Sequence, residues 1–342
     1  MKTIMNIIYP TLAVFTLACF ALAQQAPDSV SIRVITTFDY PGTGNSTNPQ
    51  KINDTNDIVG GYVDSSGVTR GFVRFANGNF SAPIIDPNDT CIFHYTLASG
   101  INNSRLICGD YHGGGVPCFA DSHGFFLMGH NFSNFDVPGS RTTALGGVNN
   151  VGDFAGSYYP GGTVNYGFVS IGGTITSISV PGALDTAAYQ LNSLNQLEGD
   201  YIDTSEVLHG YWRDSNGALH FPIDPPGSTG TSLFGNNDSN WMVGSYVSAG
   251  TTHGLFFVPP NRFFTFDYPG STFTSLNGIN AQGFICGLYT DASGIAHGIL
   301  ARVRGVPSAS EAGPEMKAND SPSLVRPVNP SPSGLRAERP AW

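Results

Sequence analysis

Apolar positions along this chain come in short runs rich in Val, Ile, Phe and Tyr, each interrupted by Gly, Asn, Asp or Pro. Such runs are too short for helices and suit β-strands separated by tight turns. Superposed on itself, the chain repeats. The phrases "IVGGY" (58–62), "ICGDY" (107–111), "FAGSY" (154–158), "LEGDY" (197–201), "MVGSY" (242–246) and "ICGLY" (285–289) share an apolar start, a Gly at the third place and a Tyr at the fifth. The pairs are Gly60 and Tyr62, Gly109 and Tyr111, Gly156 and Tyr158, Gly199 and Tyr201, Gly244 and Tyr246, and Gly287 and Tyr289, with the tyrosines 49, 47, 43, 45 and 43 residues apart. An Asn stands seven positions before each glycine, at Asn53, Asn102, Asn149, Asn192, Asn237 and Asn280.

Two further phrases keep the register. One is "RGF", "HGF", "YGF", "HGY", "HGL" and "HGI", beginning at Arg70, His123, Tyr166, His209, His253 and His297. The other is an Asp-x-Pro-Gly turn after Asp39, Asp136, Asp224 and Asp267, with Ser179 in place of Asp in one unit and a degraded "DPND" at Asp86 in another. Each unit therefore holds four strand-like segments in about 45 residues, which predicts an all-β chain: a six-bladed β-propeller of four-stranded antiparallel blades. The sixth unit lacks its own fourth strand, and a spare one, "VSIRVITTFDYPG", precedes the first unit. The N-terminal strand, near residues 31–39, is expected to pair with residues 297–303 and close the ring. An open solenoid would leave both edges bare and would need capping units, which the sequence lacks. Within "IVGGY" the glycine between two large side chains predicts a notch for a neighbouring sheet.

The combined phrase "D.PG … IN..G.IVG.Y.D..G..HGF" resembles the bacterial extracellular HAF repeat family over residues 36–303. The resemblance implies export and a repeat scaffold, and no reaction. The ends agree with it. Residues 1–23, "MKTIMNIIYPTLAVFTLACFALA", read as a signal peptide cut after Ala23. Thr16 in "TLAC" argues against lipidation at Cys19. Residues 28–305 are expected to form the propeller, and the Pro- and Ser-rich 306–342 a disordered tail. The expected product is a secreted or periplasmic monomer without a membrane span.

Charge narrows the partners. Only 12% of residues are Asp, Glu, Lys or Arg, the net charge is −10, and the 15 Lys and Arg are scattered, so no basic stripe suits nucleic acid. Low charge with many Tyr, Phe, Asn and Ser suits an extracellular carbohydrate or protein ligand. No metal or cofactor motif is present, and G-x-S-x-G and H-E-x-x-H are both absent.

Candidate chemistry lies where repeat symmetry breaks. Unit two has an enlarged entry loop, "DPNDTCIFHY" (86–95), and an enlarged loop between its second and third strands, "HGGGVPCFADSHG" (112–124). Strand alternation puts both on one face. They would gather His94, His112 and Asp121 as weak catalytic candidates, and Phe93, Tyr95, Asp110 and Phe119 as ligand-binding ones, with Asp89 nearby. Cys91 and Cys118 lie in these two loops and are expected to form a disulfide in an exported protein. Cys108 and Cys286 sit inside strands as small apolar fillers. The repeated histidines are expected to serve packing or hydrogen bonding, and the repeated aspartates to accept N–H bonds of the turns they precede. Three readings follow: a binding or interaction module, a hydrolase or lyase acting on extracellular polysaccharide, and a structural cell-envelope protein.

Overall fold

The computed structural model describes residues 30–42, 46–92, 94–114 and 122–306. All regular elements among them are strands, twenty-three in number. Unit two consists of β5 (Thr96–Ile101), β6 (Ile107–His112), β7 (Ser122–Met128) and β8 (Asn131–Phe135), each antiparallel to the next. Unit three, β9 (Thr142–Val148) to β12 (Thr174–Ile178), and unit four, β13 (Asp185–Leu191) to β16 (Leu219–Ile223), repeat the plan. Unit five runs from β17 (Gly230–Asn236) to β20 (Arg262–Phe266). Unit one has β2 (Ser46–Ile52), β3 (Ile58–Val63) and β4 (Thr69–Arg74), but its fourth segment is reduced to isolated bridges, Gly71 with Ile84 and Arg74 with Phe80. Pro83 in that segment has no N–H to donate to a ladder.

Unit six takes three strands from the chain's end, β21 (Phe273–Ile279), β22 (Phe284–Thr290) and β23 (Ala296–Arg304). Its fourth is β1 (Ser31–Phe38), antiparallel to β23 with Ser31 opposite Arg304 and Phe38 opposite Gly298. Single parallel bridges, Thr252 with Phe273 and Ser46 with Ala296, join units five, six and one into one sheet of eleven strands.

The apolar core is divided among the junctions between units. Val59 and Phe125 meet between units one and two, Cys108 and Phe168 between two and three, and Val169 and Tyr211 between three and four. Trp212 packs against Met242 between four and five, and Phe256 against Ile285 between five and six. Ile58 and Phe72 of unit one pack against Cys286 and Leu300 of unit six. Each unit is thus buried only by its neighbours.

Two polar devices hold the register. The Asn before each glycine donates from Nδ2 to the backbone oxygen of the same Asn in the next unit: Asn53 to Asn102, Asn102 to Asn149, Asn149 to Asn192, Asn192 to Asn237, Asn237 to Asn280, and Asn280 back to Asn53, at 2.9 to 3.2 Å. The second device is a buried threonine six positions before each Asn. Thr47, Thr96, Thr143, Thr186 and Thr274 each accept, on Oγ1, the backbone N–H that follows the fourth strand of the preceding unit. Thr231 bonds to Ser228 instead, because the preceding unit presents Pro225 there, which has no N–H.

The glycine of each G-x-Y phrase needs a corrected explanation. No neighbouring sheet enters a notch. The first strand of the same unit bulges, between Pro49 and Lys51 in unit one and at the equivalent place elsewhere, and its carbonyl crowds the glycine. A Cβ at Gly60, Gly109 or Gly199 would fall onto the oxygen of Asn48, Leu97 or Ala187. The turns, in contrast, are as expected: Gly42, Gly139, Gly182, Gly227 and Gly270 of the Pro-Gly turns have φ between 79° and 82°, as the third residue of a type II turn requires.

Candidate functional site

The Asn circuit marks one end of the molecule, and the loops that enter each unit mark the other. At the loop end unit two departs most from its neighbours. Its entry segment is tied down from within: Asp86 N donates to Thr96 Oγ1 (3.2 Å), which donates to Asp89 Oδ2 (3.0 Å), while Asp86 Oδ1 accepts from Asn88 N (2.8 Å). The Asp89 side chain is 1% exposed; His94, 47% exposed, places Nδ1 3.4 Å from its Oδ1 and 3.1 Å from its backbone oxygen. Burial pushes the Asp86 carboxyl above its ordinary value.

Beside this pair lies a second group. His112 N donates to Tyr95 O (3.0 Å), and the two rings stack 4.3 Å apart at 15°. Asp110, two residues back on β6, is buried and accepts from Ser122 Oγ (3.0 Å). Burial, only partly offset by that bond, raises its carboxyl to about 7, and burial followed by the nearby Asp110 raises the Tyr95 phenol well above its usual value. The entry loop and the β6–β7 connection therefore meet, with Asp89 and His94 in one group and Tyr95, His112 and Asp110 in another. Phe93, Cys118, Phe119 and Asp121 lie outside the described residues. Cys91 is fully buried and is not among the free thiols of the described residues, which are Cys108 and Cys286, both fully buried. Burial pushes both of those thiols up to about 12, so they are inert fillers.

The arrangement stacks two half-buried rings on each other beside two buried carboxyls, one of them pushed up by burial to about 7. It can stack on an apolar surface and accept or donate hydrogen bonds. Among the described residues, no three His, Cys, Asp or Glu side chains are grouped as metal ligands would be, and no helix is long and apolar enough to cross a membrane.

The repeated histidines and aspartates are structural partners of each other, which corrects the expectation that the aspartates cap their own turns. His123 Nδ1 lies 2.9 Å from Asp136, His209 2.6 Å from Asp224, His253 2.9 Å from Asp267 and His297 2.9 Å from Asp39. The Tyr of the G-x-Y phrase packs on each imidazole at 5.0 to 5.5 Å. The two partners change together: Tyr166 replaces His where Ser179 replaces Asp, and Arg70 replaces it where "DPND" does, pairing with Asp64 at 2.8 Å. Among the described residues, Asp86 is the one of these aspartates bonded to a backbone N–H of its own turn.

Sequence reasoning missed a further break in symmetry. At the position before each motif glycine stand Val59, Cys108, Ala155, Val243 and Cys286, all fully buried, but in unit four it is Glu198, equally buried. Its Oε1 accepts from Gln190 N (3.1 Å). In the bulge of unit one, Lys51 stands where most units have Gly, and it is 3% exposed. Burial raises the Glu198 carboxyl and lowers the Lys51 ammonium, while each charge favours the other. Comparing columns across units would have exposed both.

No protein-family model matches this sequence, and no curated protein sequence matches it. Solved structures do. A mutant of the Aleuria aurantia lectin in complex with Fucα1-6GlcNAc superposes with a TM-score of 0.50 at 11% identity, covering 78% of this chain and 99% of that one. Another structure of that fungal lectin, described as a six-bladed β-propeller with a novel fucose recognition mode, gives a TM-score of 0.46 at 10% identity, over 82% and 97%. A Xanthomonas campestris gluconolactonase gives 0.45 at 11% identity, over 79% and 91%. At such identities the likeness is one of fold: an all-β chain of propeller type.

Proposed function

We propose that this chain is an exported β-propeller of HAF-type repeats, closed as six blades by β1, that binds neutral carbohydrate on the loop face of unit two. One observation carries the binding reading: the Tyr95–His112 stack beside the buried carboxyl of Asp110. A sugar ring offers C–H groups that pack on an aromatic face and hydroxyls that bond to carboxyls at its rim. The sparse, scattered charge of the chain favours a neutral ligand over an anionic one. The lectin among the structural neighbours is solved with a fucose-containing disaccharide, which agrees with the reading. Ring closure is supported by the β1–β23 pairing, the unit-six-to-unit-one core and the return of the Asn circuit from Asn280 to Asn53. A Cys91–Cys118 disulfide would fix the two loops, and peptide mapping without reduction tests it.

A neutral glycan array on the secreted protein tests the binding. Hits are expected, and His112→Ala and Asp110→Asn should remove some or all of them while both variants remain folded by circular dichroism. An array without hits, or hits unchanged in His112→Ala, would overturn the reading. The polysaccharide-cleaving alternative draws on the Asp110 carboxyl near 7, a value suited to a general acid. It requires that the bound glycans be shortened over time and that Asp110→Asn stop the shortening.

A further inference from the structure

A cavity of about 250 Å³ opens between units six and one, at the same end of the molecule but outside the unit-two loops. It is bounded by Ser46 and Asn48 of β2, Thr69 of β4, and Phe273, Leu288 and Thr290 of unit six. At ~30 Å³ per water molecule in the liquid, it has room for about eight waters, which is the scale of one sugar ring and too small for a peptide.

The junction of units one and two, by contrast, is filled. In strand register, Tyr95 and Leu97 of unit two occupy the places that Ser46 and Asn48 hold in unit one. At the junction of units one and two those large side chains fill the gap: Tyr95 stacks on His112, and Leu97 Cδ1 lies 2.7 Å from where a Cβ on Gly61 would be. At the junction of units six and one, the shorter Ser46 and Asn48 stand in those places and line the open volume.

The lining contains no Asp, Glu, Lys, Arg or His. A charged ligand would lose its hydration there and find no counter-charge, a penalty that excludes it. Two kinds of surface remain. Ser46, Asn48, Thr69 and Thr290 supply hydroxyls and an amide, and Phe273 and Leu288 supply an apolar wall. A pyranose has the same division, with hydroxyls around its rim and C–H groups on its face.

We propose that this cavity is a second binding site, specific for a single neutral sugar ring. The choice of ligand class rests on the carbohydrate reading above, but the site does not share its residues. The two are neighbours, since Thr69, which lines the cavity, bridges to Tyr95 of the unit-two group.

Ligand-detected NMR with a panel of neutral monosaccharides (the methyl glycosides of fucose, glucose, galactose and mannose), with glucuronate and glucosamine as charged controls, tests the proposal on the mature protein. At least one neutral glycoside is expected to bind and the charged sugars are not. Thr290→Trp, which fills the cavity, and Asn48→Leu, which installs the residue unit two carries at that place, should each weaken binding at least tenfold, with unchanged circular dichroism. Val151→Ala, exposed at the Asn-circuit end and part of neither site, should leave it unchanged. Absence of monosaccharide binding, equal binding of the charged sugars, or binding retained in both cavity variants would overturn the proposal. Binding lost in His112→Ala but kept in the cavity variants would overturn it as well, and would leave the unit-two reading standing. Loss of array hits in His112→Ala is a separate readout, so either site can fail alone.

Discussion

The Asn circuit makes ring closure measurable. Asn102 Nδ2 donates to Asn149 O, and its Oδ1 accepts from Ser104 N and Leu106 N, all at 3.0 Å. Replacing it with Ala removes three hydrogen bonds from a site 6% exposed. At a net ~1 kcal/mol each, and with buried backbone groups left without partners, the expected cost is about 3 to 5 kcal/mol. Asn280 makes the link that returns to the first unit: Nδ2 donates to Asn53 O (3.0 Å) and to Asn56 Oδ1 (2.9 Å), and Oδ1 accepts from Gln282 N and Phe284 N. In a closed ring Asn280→Ala must cost at least as much as Asn102→Ala, because the span of 227 residues between its partners is irrelevant once both are held. If the ring opens between units six and one, the bond to Asn53 is absent in solution and that variant loses only the local bonds. Urea unfolding of the two variants, followed by tryptophan fluorescence, decides. Asn280→Ala destabilising by less than half of what Asn102→Ala does would refute closure through this circuit. An Asn280→Asp variant should be no better than Ala, since it keeps both acceptors but sets a carboxylate against the Asn53 carbonyl.

Other consequences can be checked the same way. Deleting residues 31–38 should lower the melting temperature far more than deleting 307–342, because it strips the partner from β23 and exposes Ile299 and Val303; equal effects would contradict the β1 pairing. Gly199→Ala should destabilise by about 3 kcal/mol or more, since its Cβ meets the Ala187 carbonyl of the bulge, whereas Gly182→Ala, with open space around it, should cost about 1 kcal/mol through its φ of +80° alone. Asp110 has a folded-state value of about 7 against 3.8 unfolded, so the folded state keeps the proton longer and stability falls as pH rises from about 4 to 7. With roughly 1.4 kcal/mol per unit over three units, that fall is about 4 kcal/mol. Asp110→Asn should flatten that part of the stability–pH curve in chemical denaturation, and a curve as steep as the parent's would show the carboxyl is not buried as described.

Much of this fold is legible because six copies of one unit average away the noise of a single strand. The G-x-Y glycines, the preceding Asn and the Pro-Gly turns each recur, and recurrence alone marks them as scaffold. Their reasons are less legible. That Gly60 yields to a bulge in its own sheet depends on one extra residue at Pro49–Lys51, which changes no hydrophobic pattern. That Asp267 holds His253 depends on strands 14 residues apart coming into contact, which spacing alone does not reveal. The threonine column stands in plain view, but threonine is so ordinary in strands that its repetition points to no partner. The meeting of Tyr95 with His112 follows from strand direction. The cavity between units six and one does not, because an unfilled volume leaves no motif.

The pairing of β1 with β23 also fixes the direction in which the chain leaves the fold. Ser31 faces Arg304, and Val303 N donates to Gly283 O in the turn that carries Asn280, so both ends of the fold leave from one point at the Asn-circuit end. The unit-two loops and the cavity occupy the opposite end. Anything joined to the chain at Val30 or at Val306 therefore leaves the unit-two loops and the cavity facing away from the attachment, and a surface-immobilised or fused version can be built at either of these points without covering them.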